Sequence, residues 1–172
     1  MDAKVAELLK DQVNKEFYSA YLYLAFSNYY QEISLDGFAH WFDVQAAEEL
    51  DHALKFLKYL QDNSEKVTLG AIAAPEANFS NPRQPLAQAL EHEKYVTSLI
   101  NKIYSQAKSV DDFRCCRFLE WFITEQGEEE KNSSDLLAKY DLFGGDAKGL
   151  YLLNAEMKGR PQTETADAEE QA

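Results

Sequence analysis

The chain has 172 residues, of which 45% are hydrophobic and 13% aromatic, so it can form the core of one domain and is not disordered throughout. Its 30 acidic residues exceed its 17 basic ones, and a net charge of −13 argues against unaided binding to nucleic acid or anionic membranes. The two cysteines, Cys115 and Cys116, are neighbours and give no disulfide framework, and no segment has the pattern of a signal peptide or membrane helix. We therefore expect a cytoplasmic protein with no nucleic-acid or membrane partner.

Sparse proline and glycine residues leave room for four long helices and a short fifth one. The predicted ranges are about 2–32, 36–62, 82–109 and 109–143, and then 146–158. Asp2, Asn81 and Ser109 are the predicted N-caps of the first, third and fourth helices. Gly144 and Gly145 are predicted to end the fourth helix.

The apolar residues of these segments recur about every 3.5 positions, which is typical of a helical bundle, and no β pattern is evident. Short connections make the first and second helices antiparallel, and likewise the third and fourth. The connection over residues 63–80 is long enough to cross the whole bundle. We therefore predict an all-α, up-down-down-up four-helix bundle with a long crossover. Residues 1–158 are expected to form the domain, and residues 159–172 a polar, disordered tail.

Near the middle of each long helix, the apolar stripe is interrupted by polar or acidic residues. Helix midpoints meet at one level of a bundle, so these side chains are expected to form a single buried layer. The interruptions are Glu16 in the first helix, Glu49 and His52 in the second, Glu93 in the third, and Gln126 and Glu129 in the fourth.

Buried carboxylates cost several kcal/mol each unless they are protonated or bind cations, and the apolar stripes contain no lysine or arginine. Glu49 and His52 are three residues apart and share a helix face, which suits iron, manganese or zinc. Taken alone, this pair is more often an exposed polar pair, and Glu128–Glu130 more often a solvated charge run. The shared depth in four helices favours metal binding. The remaining alternative is a non-catalytic, metal-buffering helical bundle.

Four short motifs, in this order, resemble those of bacterial non-haem ferritins, and the resemblance covers essentially the whole chain. The motifs are Glu16–Tyr23 (EFYSAYLY), Glu48–His52 (EELDH), His92–Glu93 and Glu125–Glu129 (EQGEE). The resemblance implies an iron-storage protein whose residues 1–158 are a ferritin-like di-iron domain. It also implies oxidation of Fe²⁺ by dioxygen or peroxide and storage of ferric oxide in a homo-oligomeric shell of 24 subunits.

The same resemblance assigns roles to individual residues. It implies a first iron held by Glu16, Glu49 and His52, with Glu49 bridging to a second iron. The second iron would be held by Glu93, with Gln126 and Glu129 nearby; a possible third iron would be held by Glu48, Glu125, Glu128 and Glu129. Tyr23 matches the tyrosine beside this site, and it lies on the same helix face as Glu16.

Two features separate the chain from close relatives of these ferritins. Bacterioferritins carry a second Glu-x-x-His and bind haem through a methionine in the middle of a helix. In this chain no second Glu-x-x-His follows His92, and the methionines, Met1 and Met157, are not in the middle of a long helix. We therefore expect no haem. The segment Arg114–Leu119 lacks the acidic residues that line the iron pore of animal ferritins, which makes iron uptake at that position doubtful. Its two cysteines are expected to be buried or interfacial thiols.

Overall fold

The computed structural model describes residues 1–76 and 78–161, and all regular elements in these ranges are α-helices. The helices are α1 (Ala3–Glu32), α2 (Asp36–Asp62), α3 (Arg83–Ser109), α4 (Phe113–Phe143) and α5 (Ala147–Met157). None of them is long and apolar enough to cross a membrane.

The four long helices form the predicted bundle. Helix α1 packs along α2 and also contacts α3, while α3 packs along α4. In α1, Ser19 contacts His92, whereas Tyr30 further along α1 donates a hydrogen bond to the carbonyl of Pro82, before α3 begins. Helices α1 and α3 are therefore antiparallel. Since α1 and α2 are also antiparallel, α2 and α3 run parallel, and the crossover predicts this topology correctly.

Three helices begin at an aspartate N-cap whose side chain accepts amide hydrogen bonds: Asp2 in α1, Asp112 in α4 and Asp146 in α5. Asp2 Oδ1 accepts hydrogen bonds from the amides of Lys4 and Val5, as predicted. Asn81 Oδ1 accepts one from the amide of Arg83, but the N-cap of α3 is Pro82, one residue later than predicted. The prediction for Ser109 is wrong, because its hydroxyl donates to the carbonyl of Gln106 at the end of α3.

The cap of α4 is Asp112, which accepts a hydrogen bond from the amide of Cys115. The chain first turns through Asp111, whose φ of 57° is left-handed, so α4 begins three residues later than a Ser109 cap would allow. Cys115 and Cys116 are buried free thiols, in agreement with one of the two predicted environments.

The core is divided into two apolar clusters that lie on either side of a polar layer. One cluster lies near the α1–α2 turn and includes Tyr30, Phe38 and Phe42. The other lies toward the opposite end and includes Leu9 and Phe56. The layer between them contains the polar residues that interrupt the predicted stripes, so the apolar packing fixes the height of each polar side chain.

Helix α5 folds back onto its own bundle, where it contacts α2 and α4. Asn154 Oδ1 accepts hydrogen bonds from the amides of Gly37 (2.8 Å) and Phe38 (3.2 Å), and its Nδ2 donates to Asp36 Oδ1 (3.0 Å). Helix α2 has no capping side chain of its own at Leu35. Asn154 therefore satisfies amides at the start of α2 that the helix itself leaves unpaired.

The division at residue 158 stays a prediction, and residues 162–172 of the predicted tail lie outside the described residues. Arg160 is described, and its side chain contacts α2. The predicted tail therefore includes at least one residue that packs against the bundle.

Replacing Gly37 with alanine is expected to lower the melting temperature, because the new Cβ would lie 1.7 Å from the carbonyl oxygen of Asn154. Overpacking of this kind costs about 1–3 kcal/mol. Gly127→Ala is the control: outside its chain neighbours and the nearby backbone of α4, no heavy atom of the described residues lies within 4 Å of its added Cβ, and alanine favours a helix by about 1 kcal/mol. Thermal unfolding followed by circular dichroism measures both variants. Equal melting temperatures would contradict the proposed contact between α5 and α2.

Candidate metal centre

The polar layer consists of side chains that are at least 95% buried, which is rare for carboxylates without partners. All four long helices contribute to it. Its members are Gln12, Glu16 and Ser19 from α1; Gln45, Glu49 and His52 from α2; Glu93 from α3; and Gln126, Glu129 and Ser133 from α4.

Glu16, Glu49 and His52 form the centre of the layer. Each can offer one ligand atom, and these three atoms lie within 4.8 Å of one another. His52 Nδ1 is 3.5 Å from Glu49 Oε2, and Gln12 Nε2 donates a hydrogen bond of 2.8 Å to Glu16 Oε1. The structure thus brings together the three residues predicted to hold the first iron.

Glu93 lies beside this centre and has hydrogen bonds to both carboxylate oxygens. The Tyr23 hydroxyl donates to Oε1, and Gln126 Nε2 donates to Oε2 at 3.1 Å. Tyr23 is fully buried against Phe26 and Phe42, so its hydroxyl has a fixed position. The predicted Tyr23, Glu93 and Gln126 therefore form one hydrogen-bonded group.

Glu129 is held from the α2 side of the layer. Gln45 Nε2 donates a hydrogen bond of 2.7 Å to Glu129 Oε2, and Gln45 Oε1 accepts one of 2.8 Å from Arg160. Arg160 also forms an ion pair with Glu48, whose side chain is 16% exposed. Glu48 and Glu129 are thus connected through Gln45 and Arg160.

The remaining two predicted residues lie at the rim of the layer or outside it. Glu125 is partly exposed, with Oε1 3.9 Å from His52 Nε2, and Glu128 is exposed on α4. The structure places Glu125 next to the central trio but does not bring Glu128 into the buried layer.

The chain is similar to known proteins over most of its length. The chain matches the family model of the ferritin-like domain over residues 6–143. It belongs to the ferritin family. The bacterial non-heme ferritin of Campylobacter jejuni is 35% identical over 158 residues, which cover 92% of this chain and 95% of the relative. A probable bacterial non-heme ferritin-like protein of Haemophilus influenzae is 36% identical over 157 residues, covering 91% and 95%.

Solved structures agree with the predicted ferritin fold. An engineered closed form of the Archaeoglobus fulgidus ferritin has a TM-score of 0.92 and 37% identity, covering 95% of this chain and 99% of that chain. An open-pore ferritin from the same archaeon has a TM-score of 0.91 and 36% identity, covering 94% and 98%. The predicted family and the all-α bundle are thereby confirmed.

Burial shifts the ionisation of the carboxyl groups in this ferritin. Desolvation raises the pKa of Glu16 and Glu49 well above the usual range, and the neighbouring negative charges raise it further. Desolvation, with the charges of Glu93 and Glu48, raises the pKa of Glu129 to about 8. The pKa of Glu93 is also raised by burial, although Tyr23 and Gln126 oppose the shift.

The donor set fits iron. Glu16 Oε2 and Glu49 Oε2 are buried and have no hydrogen-bond partner among the described residues. No lysine or arginine of residues 1–76 and 78–161 forms an ion pair with Glu16, Glu49, Glu93 or Glu129. Carboxylate oxygen together with one imidazole nitrogen suits iron, and a bound cation would remove the repulsion between these acids.

His92 lies beside the layer, where its ring contacts α1 rather than the central trio. Its Nε2 is 2.8 Å from Ser19 Oγ, and its ring packs edge-on against Tyr23. Burial lowers its pKa to about 4, so it is neutral near pH 7. These contacts are typical of a structural residue.

Sequence reasoning missed the functional contacts of Gln12, Gln45 and Arg160. Gln12 lies four residues before Glu16 and so shares its helix face, which is a usable signal. Gln45 is in the predicted stripe of α2, but its partner Glu129 follows only from the packing of α2 against α4. No sequence pattern indicates that Arg160 returns to α2.

The stability of the metal-free protein is expected to fall as pH rises from about 5 to about 8. Carboxyl groups with a raised pKa hold protons in the fold that the unfolded chain releases near pH 4.3, so their contribution is present at low pH and lost toward pH 8. Melting temperatures of the chelator-treated protein across this range provide the measurement.

Two variants show whether the buried layer causes this pH dependence. Glu129→Gln should make the melting temperature less dependent on pH, whereas the exposed Glu128→Gln should leave the dependence nearly unchanged. A melting temperature that is constant, or that rises, between about pH 5 and pH 8 would contradict the expectation.

Proposed function

We propose that this protein is an iron-storage ferritin with ferroxidase activity, in which Fe²⁺ is the substrate of the buried layer. The observation that carries the proposal is the trio Glu16, Glu49 and His52, whose ligand atoms converge. Two buried carboxylate oxygens of this trio have no hydrogen-bond partner in the part of the chain that the structure describes. Membership of the ferritin family supports the same conclusion.

The reaction needs two adjacent iron ions. Each Fe²⁺ gives one electron, so a pair reduces dioxygen by two electrons to peroxide with uptake of two protons, and both irons become Fe³⁺. One-electron reduction of dioxygen is thereby avoided. Hard carboxylate oxygens bind Fe³⁺ better than Fe²⁺, which favours oxidation. Peroxide is the alternative oxidant.

The ligand set also favours release of the product. The site has a single histidine among carboxylates, and several of these carboxylates already accept hydrogen bonds from Gln12, Gln45 or Gln126. Ligands of this kind can rearrange. Such a site suits turnover, in which Fe³⁺ leaves to form ferric oxide, better than permanent retention.

Individual roles are part of the proposal. Glu16, Glu49 and His52 would hold the first iron, and Glu49 would bridge to the second. Glu93 and Glu129, with the Gln126 amide close by, would hold the second iron, and Glu48, Glu125 and Glu128 would join Glu129 at a third. Tyr23 donates a hydrogen bond to Glu93. Its ring would therefore lie next to the second iron, and Tyr23 is the proposed one-electron donor at the site.

The assembly and location complete the proposal. Ferric oxide needs an enclosed volume, so we propose a homo-oligomeric shell of 24 subunits in the cytoplasm, built from a ferritin-like domain of residues 1–158. The exposed apolar residues Tyr151 and Leu152 of α5 would be covered in such a shell. Haem, nucleic acid and membrane are not proposed partners.

Aerobic addition of Fe²⁺ to the metal-free protein is expected to give rapid oxidation of about two Fe²⁺ ions per chain. Glu49→Ala and His52→Ala should each slow this phase at least about tenfold, because each removes a ligand of the central trio. Stopped-flow absorbance of ferric species measures the rate.

Glu91→Ala is the matched control, since it removes an exposed carboxylate of α3 two residues from Glu93. It should keep the wild-type rate. Wild-type kinetics in Glu49→Ala and His52→Ala would reject the proposed site. Metal binding without oxidation in the wild type would favour the metal-buffering alternative.

The purified protein is expected to form a particle of about 470 kDa, which is the mass of 24 chains of 19.6 kDa each. Light scattering coupled to size-exclusion chromatography measures this mass. A monomer or dimer, with or without added iron, would contradict the proposed storage shell.

A further inference from the structure

Arg160, three residues after α5, connects the C-terminal segment to the carboxylate layer. Its guanidinium lies over the ring of Trp41, with Cζ 4.4 Å from the ring centroid. One terminal nitrogen donates to Gln45 Oε1 at 2.8 Å and to the carbonyl of Trp41 at 3.3 Å, and the other forms the ion pair with Glu48.

The position of Arg160 is fixed by its backbone as well as by its side chain. His40 Nε2 donates a hydrogen bond of 2.9 Å to the carbonyl of Arg160, and the amide of Arg160 donates to the carbonyl of Met157. Its side chain is 18% exposed. A partly buried cation with a planar stacking partner and several acceptors is an organised contact, unlike the exposed lysine pairs elsewhere on the surface.

Arg160 also orients the amide of Gln45. A guanidinium only donates, so the Gln45 atom that faces it must be the oxygen, and the NH₂ group must then face Glu129. Arg160 therefore acts on two carboxylates at once: directly on Glu48, and through Gln45 on Glu129.

We propose that Arg160 is a positioning residue and built-in counter-ion for the outer cation position formed by Glu48 and Glu129. It pairs with Glu48 while no metal ion is bound at this position, and it thereby lowers the affinity of the position for Fe²⁺. Binding of a cation by Glu48 and Glu129 then requires Arg160 to leave Glu48. The inference rests on the proposed function, because it takes these two carboxylates to be iron ligands.

The expected size of the effect follows from the contact. Arg160→Gln removes a positive charge that donates a charge-assisted hydrogen bond to Glu48, which makes the outer position more negative. We expect the dissociation constant of the weakest cation position to fall about tenfold. The Arg160 side chain bonds to Trp41, Gln45 and Glu48 rather than to the central trio, so the tighter positions should keep their affinity.

The test is a calorimetric titration of the metal-free protein with Zn²⁺, which needs no oxidation. Arg160→Gln should tighten the weakest Zn²⁺ position about tenfold relative to the wild type. Lys158→Gln is the matched control: it removes a cation two residues away that pairs with Asp36, and it should leave Zn²⁺ affinity unchanged.

Two further variants separate charge from packing. Arg160→Lys keeps the charge and should retain an affinity close to the wild-type value. Glu48→Gln should abolish the gain when combined with Arg160→Gln. Three results would overturn the inference: unchanged or weaker Zn²⁺ binding in Arg160→Gln, an equal gain in Lys158→Gln, or a gain in Arg160→Lys as large as that in Arg160→Gln.

Failure of this inference differs from failure of the proposed function. Slow Fe²⁺ oxidation by the wild type, together with the expected Zn²⁺ affinities, would reject the ferroxidase and leave the role of Arg160 intact. Rapid oxidation of about two Fe²⁺ ions per chain, together with unchanged Zn²⁺ binding in Arg160→Gln, would reject only the inference.

Discussion

The structure depends on the burial of several carboxyl groups at mid-height in a bundle whose backbone groups are already paired. Such groups must be protonated, hydrogen-bonded or bound to cations. Hydrogen bonding satisfies these carboxyl groups incompletely: among the described residues, Glu16 and Glu49 each keep one buried oxygen without a hydrogen bond, whereas both oxygens of Glu93 have one. Glu16 and Glu49 are also the two carboxylates whose ligand atoms converge with that of His52.

The apolar packing makes this arrangement possible. Aromatic side chains dominate the cluster near the α1–α2 turn, and a second cluster closes the other end. Together they exclude water and fix the helix register, so the polar layer needs few contacts of its own to stay in place. The apolar clusters toward the two ends of the long helices thus provide stability, and the polar layer between them provides reactivity.

Most of the fold and the centre of the site follow from the sequence. The period of the apolar residues gives the helices, the crossover length gives their directions, and the shared depth of Glu16, Glu49 and Glu93 gives the buried layer. The predicted start of α4 is wrong because no glycine marks the left-handed turn at Asp111 in the sequence. The exposure of Glu128 and the return of Arg160 to α2 depend on rotation and docking of whole elements, which local patterns do not encode.

The docking of α5 has a practical consequence for labelling. Since Asn154 ties α5 to the first turn of α2, a fluorophore or fused peptide attached directly after residue 161 would start beside Glu48, within range to quench or report on cation arrival there. A probe at Met1 would start near Asn63 and Asp112, at the end of the bundle beyond the second apolar cluster. Position 161 and Met1 therefore offer a responsive and a silent attachment point on the same chain.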